Sequence, residues 1–164
     1  MKFKTLIDSE ELYKRIKETA LEINSSYKED EVLDIVCILK GAYAFFAELT
    51  KYLVMPVRVH FISLSSYKNS KHSSGKVEGK VDLPEFKKVL VVEDIVDTGY
   101  TIDYLIKNIK AQDIKLAVLL DKKCARKVDV KIDYKCFEIE DKFVVGFGMD
   151  YQGLYRNLDY IAYV

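Results

Sequence analysis

Glycine and hydroxyl residues that could bind a phosphate lie together in the stretch 89–101, which reads VLVVEDIVDTGYT. Gly99 allows a tight backbone bend, and the helix expected after it would present unpaired N–H groups and the positive end of its dipole. Thr98 and Thr101 add hydroxyl donors on either side of Gly99 and Tyr100. The pattern therefore predicts a cradle for a monophosphate at the end of a strand.

Three carboxylates accompany this cradle: Glu93 and Asp94 directly after the apolar run, and Asp97 just before Thr98. Carboxylates repel a phosphate, so the adjacent pair must bind something else, and sugar hydroxyls or a divalent cation would fit. The alternative is a surface turn that is acidic by chance, which Gly99 alone would favour. The whole combination favours a ligand site, although not one of the Walker type, which needs Gly-Lys-Ser/Thr.

The segments around this stretch alternate between predicted strands and helices. Apolar and β-branched runs predict strands at 32–39, 57–62, 89–92 and 115–120, while amphipathic or apolar segments predict helices at 8–24, 42–53 and 98–110. The capping-box spacing of Asp8 and Glu11 marks the start of the first helix. Such alternation predicts an α/β fold with a central parallel sheet, whose ligands bind beyond the carboxyl ends of the strands.

Two regions depart from this alternation. Residues 63–85 are rich in Ser, Lys and Gly, and a connection of that length predicts either a functional lid or a disordered excursion. Phe137 and the segments 143–147 and 160–164 predict short strands joined by turns. We expect these strands and the N-terminus to form a small β-rich cap, which supplies one wall of the site and is not a separate domain.

The composition is that of an ordinary globular protein, with 49% hydrophobic and 32% charged residues. Lys plus Arg equals Asp plus Glu at 26 each, so no global positive field favours nucleic acid. The three cysteines have no metal-binding spacing. We find no apolar run that would form a signal peptide or a membrane span, and we expect a cytoplasmic protein.

The stretch 89–101 resembles the phosphoribosyl-pyrophosphate signature of the type I phosphoribosyltransferases, and nearly the whole chain resembles their hypoxanthine–guanine branch. The matching segments are LKGAYAFFAEL (39–49), SSYKNSKHSSG (65–75), VLVVEDIVDTGYT (89–101), LLDKK (119–123) and DKFVVGFGMDYQGLYRNL (141–158). The last segment is the most specific to enzymes for 6-oxopurines. The resemblance implies one domain over 1–164, with a core at about 25–130 and a hood formed by N-terminal residues and about 131–164.

By this resemblance, the stretch 89–101 binds the phosphoribosyl group. Glu93 and Asp94 hold the ribose hydroxyls and the surroundings of a Mg²⁺ ion, and Asp97 is the general base toward the purine. The 5′-phosphate binds Thr98, Gly99, Tyr100 and Thr101. Tyr100 stands where the family often has Lys or Leu, and because this position contributes mainly its backbone, we expect activity to be retained.

The resemblance places the pyrophosphate at Lys40, Gly41 and Arg156, with a non-proline cis peptide bond before the lysine. Without the resemblance, Lys40-Gly41 would be a plain strand-to-helix turn, and Arg156 a solvated surface residue. Ser66 and Tyr67 head a mobile lid loop in the family, and a disordered loop is the alternative.

Base recognition falls, by resemblance, to Lys122, Phe143, Val144 and Asp150. Lys122 donates to the exocyclic oxygen of the purine, which disfavours adenine, and Phe143 stacks on the ring. The main-chain carbonyl of Val144 accepts from the base edge. Asp150 resembles a further Mg²⁺ ligand, beside Glu93 and Asp94.

These roles imply a Mg²⁺-dependent enzyme of purine salvage. It would transfer the phosphoribosyl group of phosphoribosyl pyrophosphate to hypoxanthine or guanine, giving IMP or GMP and pyrophosphate. The alternatives are a relative that prefers xanthine and a non-catalytic regulator that binds nucleotides or RNA. We expect no nucleic-acid or membrane partner, and a homodimer or homotetramer as in the family.

Overall fold

The computed structural model describes residues 2–66 and 77–164. Its centre is a parallel sheet of five strands in the order β3-β2-β6-β7-β8. These strands are β2 (Leu33–Leu39), β3 (Val57–Ser63), β6 (Phe86–Val96), β7 (Ala111–Asp121) and β8 (Tyr134–Glu138). The predicted α/β architecture is therefore confirmed.

Helices cover both faces of this sheet: α1 (Ser9–Asn24), α2 (Tyr43–Thr50) and α3 (Tyr100–Asn108). Leu90 and Val92 belong to the core cluster that contains α1 and α2, whereas Val89 and Val91 belong to the cluster that contains α3. Successive residues of β6 thus point to opposite faces, and both faces are apolar. This double burial is why the run 89–92 contains no polar position.

The observed bounds differ from the predicted ones where pairing or a turn overrides hydrophobicity. β6 and β7 extend beyond 89–92 and 115–120, because Lys88 and Asp113 continue the ladder between them although both are charged. α3 begins at Tyr100 and not at 98, because Gly99 adopts a left-handed φ of 91°. α2 ends at Thr50, three residues before the predicted end.

A small antiparallel sheet forms the hood, with the strand order β1-β10-β9. Its strands are β1 (Lys4–Ile7), β9 (Val144–Val145) and β10 (Ile161–Tyr163). The assignment of Phe137 to the cap was wrong, because Phe137 lies in β8 and pairs with Leu120 of the central sheet. Tyr134 and Cys136 of β8 pack in the core cluster that contains α1. This alternating aromatic strand is therefore part of the central sheet. The hood segment therefore begins after Glu138, and not at about 131.

A third sheet consists of two short strands, β4 (Ser65–Ser66) and β5 (Val77–Glu78), which pair antiparallel. Both strands lie within residues 63–85, the segment predicted as a lid or a disordered excursion. Ser66 lies in β4, while Tyr67 lies outside the described residues. Among the described residues, no helix has the length and apolar character needed to cross a bilayer.

Candidate active site

The polar residues singled out in the sequence converge at the carboxyl edge of the central sheet. Lys40 follows β2, Asp97 follows β6 and Lys122 follows β7, and these strands are neighbours in that order. The C-termini of parallel strands meet at one edge. Residues that are up to 82 positions apart in the sequence therefore surround one site.

Three adjoining cavities occupy this edge, and Asp97 lines all of them. The first, of about 310 Å³, is lined by Asp94, Asp97, Lys122, Phe143, Val144 and Asp150, together with Ile95, Met149 and Gln152. The second, of about 270 Å³, includes Lys40, Gly41, Glu93, Thr101, Asp150 and Arg156. The third is a small depression of about 20 Å³ beside Gly99, Thr101 and Ile102. After the roles predicted for their lining residues, we call the first cavity the base side, the second the pyrophosphate side and the third the cradle.

Glu93 is the buried member of the acidic pair. Its Oε1 accepts a hydrogen bond from the Asp94 N–H (3.0 Å), and Asp94 Oδ1 accepts one from the Ile95 N–H (2.8 Å). Burial, and then the neighbouring charge of Asp94, raises the pKa of Glu93 well above its ordinary value. The same field reaches Cys37 on β2, because burial and then Glu93 and Asp94 raise the pKa of that thiol to about 12. Glu93, Asp94 and Asp97 therefore form a cluster of interacting carboxyl groups at this strand end, which suits a cation or hydroxyl donors.

Gly41 and Gly148 make room for close contacts between loops. A Cβ at Gly41 would collide with the Asp94 carboxylate, and a Cβ at Gly148 would collide with the carbonyl oxygen of Gly41. Gly148 also has a φ of 96°. The hood loop therefore packs directly on the turn after β2, and that turn packs on Asp94. Glycine at both positions therefore allows these loops to pack in direct contact between the two cavities.

The turn after β2 has the backbone feature that the resemblance implies, since the peptide bond between Leu39 and Lys40 is cis. Arg156 approaches the same cavity from the hood. Its guanidinium pairs with Asp150 (Nη2 to Oδ1, 2.8 Å) and donates to the Gly148 carbonyl (2.6 Å). Asp150 Oδ2 also accepts from the Gly153 N–H (2.7 Å). Arg156 and Asp150 therefore hold one another at the mouth of the pyrophosphate side.

Lys122 and Phe143 both line the base side. Only 12% of the Lys122 side chain is exposed, and its Nζ lies 3.4 Å from Asp141 Oδ1. Half of Phe143 is exposed, and its ring makes an edge contact with Tyr151 at 5.8 Å between centroids. Val144 is buried in β9. An ammonium and an aromatic ring thus border one cavity of about 310 Å³, which can hold a small heterocycle.

The cradle is shaped by one hydrogen bond from the backbone to a side chain and by a left-handed turn. Asp97 Oδ1 accepts from the Thr98 N–H (2.6 Å), and Gly99 caps α3 with its left-handed backbone. Tyr100 is the first residue of α3, and Thr101 lines two of the cavities. The free N–H groups of the first turn of α3 lie at this end of the helix, as an anion site requires.

Residues 122–128 lie behind the cradle, and we call this segment the strap; sequence reasoning singled out its Lys122 and missed its Arg126. Arg126 of the strap donates to the main-chain carbonyl of Asp97. It also pairs with Asp121, a buried carboxylate at the end of β7. Lys135 of β8 donates to the other oxygen of Asp121 (3.1 Å). The only signal in the sequence is the polar Asp121 ending an apolar strand, and it does not identify the partner.

A parallel sheet with an acidic strand end, a helix N-terminus beside it and a small hood above defines a phosphoribosyltransferase of type I. The family model for the phosphoribosyl transferase domain matches residues 3–152. The chain belongs to the phosphoribosyl transferase family, and within it to the hypoxanthine-guanine phosphoribosyltransferase group.

Named relatives support this placement. The hypoxanthine-guanine phosphoribosyltransferase of Bacillus subtilis (strain 168) is 44% identical over 97% of this chain and 91% of its own length. That of Aquifex aeolicus is 43% identical over 96% of this chain and 92% of its own length. A crystal structure of the Bacillus anthracis enzyme, with a HEPES molecule in its active site, has a TM-score of 0.91 at 40% identity and covers 99% of both chains.

Proposed function

We propose that this protein transfers the phosphoribosyl group of phosphoribosyl pyrophosphate to hypoxanthine or guanine, as in purine salvage. The observation that carries the proposal is Asp97, whose side chain borders the base side, the pyrophosphate side and the cradle together. A ribose bound at this junction would have its C1′ between a base and a leaving group. Direct transfer of the group requires this arrangement, with the acceptor and the leaving group held on either side of C1′.

In this reaction the bond from C1′ to the pyrophosphate oxygen breaks, and a bond from C1′ to a ring nitrogen of the purine forms. The purine nitrogen loses its proton, and on this proposal Asp97 accepts it. Its hydrogen bond from the Thr98 N–H (2.6 Å) holds one carboxylate oxygen and leaves the other for the base. Asp97 is thus the catalytic residue of the proposal.

The leaving pyrophosphate develops negative charge, which cations can stabilise. Lys40 and Arg156 line the second cavity, and Lys40 and Gly41 contribute the cis-containing turn. Arg156 would exchange its present partner Asp150 for a phosphate oxygen, since a guanidinium binds either anion through paired donors. On this proposal, both residues act on the donor and neither acts on the base.

Lys122 and Phe143 select the base. A lysine donates only, so Lys122 binds the 6-oxygen of hypoxanthine or guanine and meets a donor in adenine. Phe143 stacks on the ring, and the Val144 carbonyl accepts from the base edge. Xanthine carries the same 6-oxygen, so this pair does not reject it, and a preference for xanthine is the second candidate activity.

The acids of this edge fit a Mg²⁺ ion that arrives with the donor. Among the described residues, no three His, Cys, Asp or Glu side chains form a ready-made metal cage. Mg²⁺ is often held by one or two carboxylates plus substrate phosphates, and Asp94 and Asp150 line both larger cavities. An ion held by Asp94 and Asp150 would neutralise negative charge on the pyrophosphate. Glu93 would bind ribose hydroxyls and add negative charge near the ion.

The decisive experiment mixes the protein with phosphoribosyl pyrophosphate, Mg²⁺ and one base at a time. We expect IMP from hypoxanthine and GMP from guanine, each with pyrophosphate in equal amount, and no AMP from adenine. Xanthine as the best substrate would favour the second candidate. No turnover with any base, together with a gel shift of RNA, would replace both by a regulator that binds nucleic acid.

We also propose a cytoplasmic protein that forms a homodimer or homotetramer. Its three cysteines are all free thiols, which suits a reducing compartment. Phe61 of the edge strand β3 and Tyr43 of α2 are large and exposed. β3 and α2 therefore offer apolar surface to a second copy of the chain. Light scattering on purified protein measures the mass, and a monomer would contradict the oligomer.

A further inference from the structure

The strap, residues 122–128, binds three consecutive main-chain carbonyls of the phosphate loop. Its Lys122 N–H donates to the Val96 carbonyl (2.9 Å). Arg126 Nε donates to the Asp97 carbonyl (3.0 Å). The N–H groups of Lys127 and Val128 both donate to the Thr98 carbonyl (2.9 and 3.0 Å). Three successive carbonyls held by one segment fix the orientation of three successive peptide planes.

That orientation decides what the loop presents to a ligand. In a trans peptide, the C=O of one residue and the N–H of the next point in opposite directions. With the carbonyls of Asp97 and Thr98 turned to the strap, the N–H groups of Thr98 and Gly99 point away from it. The Thr98 N–H meets the Asp97 carboxylate (2.6 Å). The strap therefore aims both the carboxylate of Asp97 and the donors of the cradle.

The Arg126 side chain of the strap hydrogen-bonds to this loop, and its charge is compensated. The Arg126 guanidinium is 16% exposed and pairs with the 6% exposed carboxylate of Asp121. A second bond from Nη2 reaches the Val96 carbonyl (3.5 Å). Asp121 is held in turn by Lys135 (3.1 Å). One planar guanidinium thus joins the end of β6 to the end of β7, as its fixed fork of donors allows.

We propose that Arg126 is a positioning residue for the phosphoribosyl group, acting through the Val96 and Asp97 carbonyls and oriented by Asp121. The inference rests on the proposed function, since it assigns the loop to the 5′-phosphate and Asp97 to the base. Arg126 itself contacts no ligand on this proposal. Its guanidinium keeps the cradle in the binding geometry before the donor arrives.

The test compares Arg126→Ala and Arg126→Lys with the parent protein in steady-state turnover of phosphoribosyl pyrophosphate and hypoxanthine. Losing hydrogen bonds that involve a charged group costs kcat/KM for the donor about 10- to 100-fold. We expect the KM for hypoxanthine to change less than threefold. Lysine restores little, because one ammonium cannot reach both carbonyls and Asp121. Added guanidinium chloride at millimolar concentration partly restores Arg126→Ala.

Lys131→Ala is the matched control, because Lys131 is an 88% exposed basic residue outside the strap. It should behave as the parent protein and gain nothing from guanidinium. Urea unfolding of each variant distinguishes positioning from a merely structural role. A merely structural role would lower the free energy of unfolding, leave the kinetic constants of the folded protein unchanged and give no rescue by guanidinium. That result would overturn the inference, whereas an inactive parent protein would overturn the proposed function instead.

Discussion

Replacing Asp97 by asparagine keeps the shape of the side chain and removes its ability to accept a proton. The Thr98 N–H can still donate to the amide oxygen, as it does to Asp97 Oδ1 now. We expect kcat to fall about 10²- to 10⁴-fold, the usual contribution of a general base, with little change in KM for phosphoribosyl pyrophosphate. Steady-state kinetics measures both constants.

Asp103→Asn is the matched control for that prediction. Asp103 lies in the first turn of α3 and forms an ion pair with Lys107 of the same helix (2.7 Å). Its charge therefore has a partner on α3 and no proposed role in the reaction. The control should keep kcat. If Asp97→Asn lost donor affinity as strongly as turnover, Asp97 would be a structural residue and not the base.

Gly41→Ala tests whether the position of the Asp94 carboxylate matters. An added Cβ would overlap the carboxylate, so the carboxylate or the turn must move by about an ångström. A displacement of that size in a positioned site costs about 100-fold in kcat/KM. Urea unfolding would show whether the variant is folded, and a folded variant with full activity would contradict the packing argument.

Glu93→Gln tests the buried acid through pH. Because burial raises the pKa of Glu93, the folded protein holds this proton more tightly than the unfolded chain does. The free energy of unfolding that the group contributes is therefore largest below the ordinary pKa of a glutamate, and it declines as the pH rises through the raised value. Glutamine has no charge to bury, so the variant should be the more stable protein at neutral pH.

Urea titrations at several pH values measure this difference, which should vanish in acid. The variant should nevertheless bind the donor more weakly, because a neutral amide is a poorer partner for a cation and for ribose hydroxyls. If Glu93→Gln were less stable than the parent protein at neutral pH, the Glu93 carboxylate would be stabilised by its surroundings, contrary to the raised pKa.

At the scale of an element, α1 depends on its N-cap and lies far from the chemistry. Asp8 Oδ1 accepts from the Glu11 N–H (2.9 Å). Asp8→Ala should lower the free energy of unfolding by about 1 kcal/mol, and Asp8→Asn, which keeps an acceptor, should lower it less. Urea unfolding measures both, and kcat of either variant should match the parent protein.

At the scale of the whole molecule, the site joins the central sheet to the hood, so a ligand that contacts both should stabilise the fold. At 100 times its dissociation constant, IMP would add about 2.7 kcal/mol, or about 5 to 10 °C in the melting temperature. A thermal melt with IMP measures this shift. AMP at the same concentration should give a smaller one, because its 6-amino group meets the donors of Lys122. Equal shifts would contradict the role of Lys122.

The sequence alone determined the parts of this protein that depend on local pattern. The apolar run before Glu93 is typical of an inner strand, and Gly99 together with Thr98 and Thr101 favours a turn into a helix N-terminus. The parallel sheet and the turn from β6 into α3 were therefore predictable. Lys40, Lys122 and Arg156 were singled out by resemblance, because an isolated basic residue has no pattern of its own.

What lies next to that turn depends on tertiary packing. The sequence does not reveal that Phe137 belongs to the central sheet, since an alternating strand can join either sheet and the choice depends on packing under α1. It does not reveal that Arg126 holds the carbonyls of Val96 and Asp97 from behind, because that contact spans 29 residues. Local periodicity reports which face of an element is apolar, whereas the partner across a contact is fixed only when the elements pack.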